Sequence, residues 1–232
     1  MSPDTGSLKI FADLVQGTQE WRDARCGLIT ASVIGKLITP TLKVADNDVS
    51  RGVTLSLVAE RITGHVENIG MSSAMWRGVI EEPIARDKYA ETHLAAPVTE
   101  VGLMVRTFGG VRIGFSPDGL VGTDGLLEIK SRGQKTQVKH VLAGEVPTEH
   151  MAQIQTGLLV SGRKWLDYCS YSGGMAMWVK RVHPDPKWFE VIVAAAQRFE
   201  VTAAQIVVDY RAATDGLPMT ERTPDFDLEP VI

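Results

Sequence analysis

The spacing of apolar residues changes in the middle of the chain, and this change limits the folds that the sequence can adopt. Three short segments rich in branched residues, 101–107, 111–115 and 125–130, follow one another there. Turns of glycine, proline and aspartate separate them, so they are predicted to form neighbouring antiparallel strands. Two later segments, 165–171 and 175–182, are expected to pair as strands across a Gly-Gly turn.

Helical spacing dominates on both sides of these strands, after a loose start. The segments with this pattern are 18–25, 30–37, 53–63, 74–89, 138–143, 147–160 and 187–212. Pro83 lies inside one of them and predicts a kink or a junction of two helices, because proline removes one intrahelical hydrogen bond. The polar stretch 39–50 is predicted to be an exposed loop. The order of elements predicts an α/β fold in which a central mixed, largely antiparallel β-sheet is flanked by helices.

The length of the chain suits one domain. Residues 1–214 are predicted to form it, and the prolines and acids of 215–232 indicate a C-terminal arm or a flexible tail. The two cysteines, Cys26 and Cys169, lie far apart, which fits a reducing cytosol. No secretory signal is recognised, and apolar stretches such as 191–196 are too short to span a bilayer. The sequence therefore predicts a cytoplasmic protein that has no membrane partner.

The net charge of −4 and the pI of about 5.8 do not favour a nucleic-acid partner. Proteins that coat DNA are usually basic, because neutralising phosphate drives their affinity. The charge does not exclude such a partner either, since a metal-dependent nuclease concentrates carboxylates at its centre and can keep its basic groups on one face. Composition therefore leaves the function open.

A turn and the strand after it carry the residues with chemical potential. The turn is Ser-Pro-Asp-Gly at 116–119, and the strand contains Glu128 and Lys130. Alternate side chains of a strand share a face, so Glu128 and Lys130 point together, and Asp118 lies close enough to converge with them. Carboxylates held together raise each other's pKa unless a cation lies between them, and Mg²⁺ prefers such oxygen ligands.

From these residues alone two interpretations stay open: a metal site, or an ordinary turn followed by a solvated strand face. A Pro-Asp-Gly turn is common for conformational reasons, and a Glu-x-Lys pair is often a solvated strand face. Glu82 is by default a solvated helix residue, and Glu81 even more so. Gln153 lies on an otherwise apolar helix face, where a polar group needs a partner that an active site could supply.

Four blocks of the sequence resemble the lambda exonuclease family, also called YqaJ-type viral recombinases, of the PD-(D/E)XK nuclease superfamily. The blocks are GTQEW…RCGLITAS at 17–32, GVIEEPIAR at 78–86, SPDG with EIK at 116–119 and 128–130, and HMAQIQ at 150–155. Their order and spacing make the resemblance specific over residues 16 to 182. His150 departs from the family's tyrosine, and Ser131-Arg132 departs from its Cys-Pro.

The resemblance implies a restriction-endonuclease-like core and a role for each matching residue. It implies that the metal is held by Asp118, Glu128, the backbone carbonyl of Ile129 and Glu82. It implies that Lys130 is the catalytic lysine and that Gln153 positions the nucleophile or the scissile phosphate. It implies a pocket for the 5′-terminal phosphate formed by Arg25, Ser32 and Ser116. A guanidinium and two hydroxyls suit a phosphate dianion, which agrees with that last assignment.

The function implied by the resemblance is a 5′→3′ exonuclease on double-stranded DNA ends that leaves a 3′ single strand for recombination. Mg²⁺ would be its cofactor, with Mn²⁺ a possible substitute. Phage or prophage origin, action in the bacterial host cytoplasm, a homotrimeric ring and a single-strand annealing protein as partner are also implied. The alternatives are an endonuclease or repair nuclease of the same superfamily, and a DNA-end-binding protein without turnover.

Overall fold

The structure is a computed structural model, and it describes residues 6–67, 70–94 and 96–222. The strands in these ranges are β1 (Leu8–Phe11), β2 (Ile29–Thr30), β3 (Val98–Thr99), β4 (Leu103–Phe108), β5 (Val111–Phe115), β6 (Gly119–Val121), β7 (Gly125–Ser131), β8 (Trp165–Tyr171) and β9 (Trp178–Val182). The helices are α1 (Gln19–Arg25), α2 (Ala31–Ile34), α3 (Asp48–Thr63), α4 (Ser73–Thr92), α5 (Gln134–Ala143), α6 (Thr148–Ser161) and α7 (Pro186–Ala213), with a 3-10 turn at Gly35–Leu37.

The strands form two sheets, one of four strands in the order β1-β4-β5-β2 and one of five in the order β3-β6-β7-β8-β9. Most neighbours are antiparallel, whereas β2 with β5 and β7 with β8 are parallel. The predicted mixed α/β fold with flanking helices is therefore confirmed. The predicted pairing of β8 with β9 is also present.

One predicted neighbourhood is wrong. β4 and β5 pair as expected, but β7 lies in the other sheet, between β6 and β8. Pro117 provides the physical reason, because it follows β5 and has no N–H to continue a ladder of hydrogen bonds. The chain leaves the first sheet at that point and starts a new hairpin with β6.

Helix α6 is the centre of the molecule. It contacts β4 and β5 of the first sheet and β7 and β8 of the second. Nearly all of its residues from Ala152 onward are buried. Gly157 is required there, because a Cβ atom would come within 2.6 Å of the Phe115 ring. Helix α4 packs on the opposite side of the second sheet, where Ala85 and Tyr89 contact the cluster around Ile129. The second sheet is therefore covered by α6 on one face and α4 on the other.

The structure corrects several predicted boundaries. Helix α3 begins at Asp48 and not at residue 53, because Asn47 and Ser50 form a capping box at its start. The last part of the predicted loop 39–50 is therefore helical. Helix α4 passes through Pro83 as one helix, so no junction of two helices forms there. The start of the chain is also not loose throughout, because β1 pairs with β4.

Helix α7 corrects the expectation that no segment is long and apolar enough to cross a membrane. It has 28 residues, and one 18-residue window of it has a mean hydropathy of 1.5, so it is long and apolar enough to cross a membrane by length and composition. In the fold its inner face packs on the core through residues such as Val191, Ile192 and Phe199. A long amphipathic helix that covers a protein core can have the same length and hydropathy as a helix that crosses a membrane.

The segment after α7 is described only as far as residue 222. Arg222 donates a hydrogen bond to the carbonyl of Thr63 at the end of α3. Residues 223–232, most of the predicted C-terminal arm or tail, lie outside the described residues. The boundary at residue 214 stays a prediction.

Candidate active site

The site lies where strand β7 extends beyond its neighbour. β6 pairs with β7 only over Gly125–Leu127, so residues 128–131 have no paired strand on that edge within the described parts of the chain. The N–H and C=O groups of one strand residue point to the same side. Those of Ile129 therefore face the open edge, where the Ile129 N–H donates to Asp118 Oδ2 at 2.6 Å.

Glu128 is almost completely buried, with a relative exposure of 1%. Its Oε1 accepts hydrogen bonds from Lys130 Nζ and from Gln153 Nε2, each at 2.6 Å. Its Oε2 is buried and has no hydrogen-bond partner among the described residues. A buried carboxylate oxygen without a partner is costly unless a cation or a water occupies the space beside it.

Glu82, on α4, lines the same cavity as Asp118 and Glu128. Arg86, one helical turn later, donates to Glu82 Oε1 and also donates from Nε to the backbone carbonyl of Asp118 at 2.6 Å. Arg86 therefore joins α4 to the turn that carries Asp118. Sequence reasoning assigned no role to this arginine, although its spacing of four residues from Glu82 is the signal for a helical ion pair.

The pKa values of Asp118, Glu82 and Lys130 are all shifted by their surroundings. The pKa of Asp118 is raised well above its usual value by burial and by the nearby Glu128 and Glu82, and Lys130 offsets this only in part. Burial also raises the pKa of Glu82, against the opposing effect of Arg86. Burial acts to lower the pKa of Lys130, but Glu128 and Asp118 outweigh it and the pKa is raised. Lys130 is therefore an ammonium at neutral pH.

Asp118 and Glu128 are the carboxylates here that could hold a divalent metal ion. In the described residues, no three or more His, Cys, Asp or Glu side chains are close enough to form a metal cluster. Mg²⁺ usually keeps several waters and uses one or two carboxylates with the substrate phosphate. The free Oε2 of Glu128 and the raised pKa of Asp118 are what such a partly completed site would show.

A second cluster of polar groups surrounds Arg25. Its Nη2 donates to the hydroxyls of Thr30 and Ser32, each at 3.2 Å, and its guanidinium lies 3.9 Å from the Trp21 ring centroid. Trp21 Nε1 in turn donates to the Ser116 hydroxyl at 3.0 Å. Burial lowers the pKa of Arg25 to about 10, so it keeps its charge at neutral pH.

Sequence reasoning did not identify Trp21 and Thr30 as parts of this cluster. Both lie inside the matching N-terminal block of the sequence, which is the signal that could have found them.

One cavity of about 530 Å³ contains every residue that the sequence predicted for the site. Those residues are Arg25, Ser32, Glu82, Ser116, Asp118, Glu128, Ile129, Lys130 and Gln153. The cavity also contains Arg77, Ser131 and Arg132. Another cavity, of about 620 Å³, lies between α3 and α7 and contains none of the predicted residues. The candidate active site is therefore the cavity of about 530 Å³, the smaller of the two.

Glu81 and His150 both have specific partners near the cavity. Glu81 is not simply solvated, because it accepts a hydrogen bond from the Ser131 hydroxyl. His150 contacts Arg132 and Tyr168, and burial together with Arg132 lowers its pKa to about 4. His150 is therefore a neutral acceptor at physiological pH.

Comparison with known proteins identifies the family. Residues 20–164 match the model of the YqaJ-like viral recombinase domain, and the chain belongs to this family. The resemblance recognised in the sequence is thereby confirmed. No curated protein matches the chain.

Solved structures give the same result. The alkaline exonuclease LHK-Exo from Laribacter hongkongensis is 29% identical, with a TM-score of 0.75 over 87% of this chain and 100% of that one. Its complex with dAMP gives a TM-score of 0.76 over the same shares, again with 29% identity. A phage related exonuclease from Haemophilus somnus 129PT, at 14% identity and a TM-score of 0.55, shares the fold over 79% of this chain and 96% of its own. The family and the first of these matches support a nuclease.

Proposed function

We propose that the protein is a metal-dependent 5′→3′ exonuclease that degrades one strand of linear double-stranded DNA. The observation that carries the proposal is the single cavity, which joins the carboxylates and Lys130 to the Arg25 cluster. Membership of a viral recombinase family and the similarity to an alkaline exonuclease support an exonuclease-type nuclease.

Asp118 and Glu128 would hold Mg²⁺, or Mn²⁺ in its place, together with the Ile129 carbonyl and with Glu82 as the third acid. The open edge of β7 supports this assignment, because Asp118 already binds the Ile129 N–H and Glu128 Oε2 has no partner in the described parts of the chain. When bound, the ion would polarise the phosphate and lower the pKa of a water.

Lys130 and Gln153 have separate roles in this proposal. The Lys130 ammonium, held against Glu128, would stabilise the negative charge that grows on the scissile phosphate. Gln153 donates its amide hydrogen to the same carboxylate oxygen and so fixes the orientation of Glu128. Because Gln153 and Lys130 both use Oε1, Oε2 is left for another ligand.

The Arg25 cluster would bind the 5′-terminal phosphate. Its guanidinium and the hydroxyls of Ser32 and Ser116 lie in the same cavity as the carboxylates. A phosphate anchored there would place the first phosphodiester of the strand over the reactive groups, and such positioning makes cleavage dependent on a DNA end. The complex of LHK-Exo with dAMP, a nucleotide with one phosphate, is in line with this class of ligand.

The proposal extends to the biological setting. A 3′ single strand left by this activity would be a substrate for a single-strand annealing protein. Phage-type recombination, a phage or prophage origin and action in the bacterial host cytoplasm would follow from the family. A homotrimeric ring would reconcile the net charge of −4 with DNA binding, because only the channel of a ring needs to be positive.

The test uses linear duplex DNA labelled at one end, with and without a 5′ phosphate, in the presence of Mg²⁺. We expect label to be released from 5′ ends, faster when the phosphate is present. Arg25→Ala should slow this reaction by roughly 10- to 100-fold, since a charge-assisted contact contributes about 1.5–3 kcal/mol. Arg22→Ala is the matched control, because Arg22 lies on the same helix and its side chain bonds, among the described residues, only to Gln19 and Gly17.

Release from 3′ ends alone would overturn the polarity. Cutting of closed circles by the wild-type protein, with Arg25→Ala unaffected, would favour an endonuclease or repair nuclease. If Asp118→Ala left every DNA-related activity unchanged, a DNA-end-binding protein without turnover would be the better description.

A further inference from the structure

We propose that Arg77 binds a second DNA phosphate, in the same cavity but outside the Arg25 cluster. This inference rests on the proposed function and adds a subsite to it. Arg77 comes from α4 and lines the cavity together with Lys130. It belongs to none of the groups that the sequence predicted for the site.

The anchoring of Arg77 is specific. Its Nε donates to the Ser131 hydroxyl at 3.0 Å, and this hydroxyl donates to Glu81 Oε2. A hydroxyl can accept one hydrogen bond and donate another at the same time. Ser131 therefore holds the guanidinium from one side while Glu81 holds Ser131. Ser131 stands where the family has a cysteine. A thiol is a weaker hydrogen-bond donor and acceptor than a hydroxyl.

The outer nitrogens of Arg77 are left for a ligand. Nη1 and Nη2 have no hydrogen-bond partner among the described residues, and the side chain is 39% exposed. The simple alternative is an ordinary helical ion pair with Glu81, four residues later. That pair is at the distance limit, with 4.0 Å between Nε and Glu81 Oε2, and the carboxylate oxygen is already bonded to Ser131.

The free fork of Arg77 matches a phosphodiester. Two parallel N–H groups of a guanidinium bind two phosphate oxygens, and an arginine whose Nε is already held loses less entropy on binding. Space is available beside it, because a Cβ atom added at Gly78 would meet nothing within 4 Å. Gly78 also lines the cavity, so a DNA backbone could approach α4 closely at this position.

The position along β7 separates this contact from the chemistry. Ser131 directly follows Lys130, so the anchored Nε lies one residue beyond the lysine along the strand. Arg77 makes no described hydrogen bond with Asp118, Glu128 or Lys130. Arg77 is therefore expected to contribute to the affinity for DNA more than to the rate of cleavage once DNA is bound.

The experiment measures binding of a 5′-phosphorylated duplex with Ca²⁺ in place of Mg²⁺, across a range of salt concentrations. For Arg77→Ala we expect the Kd to rise about tenfold, the scale of one charge-assisted contact. The slope of log K against log salt should fall by about 0.9, because one phosphate contact is lost. With Mg²⁺ present, the KM should rise while kcat stays within about threefold.

Two further variants test the anchor and the specificity. Ser131→Ala should weaken binding in the same direction but by less, because the charge remains while its anchor is lost. Arg112→Ala is the matched control, since Arg112 is exposed on β5 and does not line the cavity, and it should leave the Kd and the slope unchanged. Thermal unfolding checks each variant, and Arg77→Gln replaces Arg77→Ala if the latter fails to fold.

The outcomes separate this inference from the proposed function. Wild-type Kd and salt slope in a folded Arg77→Ala or Arg77→Gln variant would overturn the second phosphate contact. A loss in kcat with unchanged KM would do the same, because it would place Arg77 in the chemistry. If the wild-type protein neither bound nor degraded the duplex, the proposed function itself would fail, whatever the variants did.

Discussion

Strands β7 and β8 are parallel neighbours, and each carries a buried carboxylate with a different set of partners. Asp167 on β8 is 2% exposed and Glu128 on β7 is 1% exposed. Both oxygens of Asp167 accept hydrogen bonds, from Arg181 and from the Tyr89 hydroxyl. One oxygen of Glu128 has two donors and the other has none in the described part of the chain. Burial alone therefore does not tell a structural carboxylate from a reactive one.

The partners of Asp167 explain its structural role. Arg181 holds it from β9 and stacks on Trp165 at 3.6 Å, whereas Tyr89 holds it from α4. The Asp167 cluster thus joins two strands to the helix that carries Glu82. No arginine in the described residues pairs with Glu128 or Asp118, and the pKa of Asp118 is raised by burial and by its acidic neighbours. Asp167 therefore supports the fold, whereas we propose that Glu128 and Asp118 bind a cation.

The largest expected effect sharpens this contrast through activity. Glu128→Gln keeps the size of the side chain but removes its charge, so the proposed site would lose a ligand. We expect DNA degradation to fall by at least about 10³-fold, the scale seen when a group that stabilises transition-state charge is lost. Glu145→Gln is the control, because Glu145 is exposed and, in the part of the chain that is described, pairs only with Lys180. A Glu128→Gln variant with near wild-type activity would contradict the assignment.

The next effect concerns stability on the β8 side. Asp167→Ala would leave the Tyr89 hydroxyl and the Arg181 guanidinium without their acceptor. We expect the free energy of unfolding to fall by roughly 3 kcal/mol, the low end for a broken buried pair, since Arg181 is half-exposed. Urea unfolding measures it, and Glu91→Ala, which breaks an exposed pair with Lys88, should cost less than about 1 kcal/mol. Equal losses would mean that the buried cluster has no special role.

Metal binding at the β7 site should raise the free energy of unfolding by an amount similar to, or smaller than, the loss expected for Asp167→Ala. At a Mg²⁺ concentration about 100 times the Kd, binding to the folded state would add about 2.7 kcal/mol and raise the Tm by roughly 5–10 °C. Calorimetry with and without EDTA measures the shift. Asp118→Asn should abolish the shift in Tm, whereas a folded Asp167→Ala variant should still show it. A shift of the same size in Asp118→Asn would exclude Asp118 as a ligand.

The smallest effect is a gain in stability without metal. The pKa of Asp118 is raised in the folded state, so the folded protein binds more protons than the unfolded chain above pH of about 3.9. Stability therefore falls as the pH rises from there towards the folded pKa. Asp118→Asn removes this penalty and should raise the free energy of unfolding at neutral pH by about 0.5–2 kcal/mol. A Tm series from pH 4 to 8 in EDTA measures it, and a lower Tm for Asp118→Asn at every pH would contradict it.

Local patterns made part of the fold and of the site predictable. The predicted helical segment 18–25 starts at Thr18, which is the N-cap of α1 and accepts a hydrogen bond from the Trp21 N–H. Strand alternation placed Glu128 and Lys130 on one face, where their side chains meet at 2.6 Å. The unusual polar position of Gln153 predicted a partner, and Glu128 is that partner. Each of these depends on neighbours a few residues away or on the period of one element.

Contacts between segments far apart in the chain could not be predicted from local patterns. Strands β2 and β3 have two residues each and exist only through their partners β5 and β6, so no periodic pattern could reveal them. The separation of β7 from β4 and β5 depended on where β6 starts. The anchoring of Arg77 by Ser131 spans 54 residues, a distance over which spacing has no predictive value.

The sequence by itself determined which reactive groups the protein has and which of them share a strand or a helix, because those relations follow from the geometry of single elements. Only the tertiary structure decided that β7 extends past β6, that Glu128 keeps an oxygen without a partner, and that Trp21 links Arg25 to Ser116. These features arise where segments far apart in the chain meet, and the energy of such contacts depends on burial and orientation that no local pattern encodes.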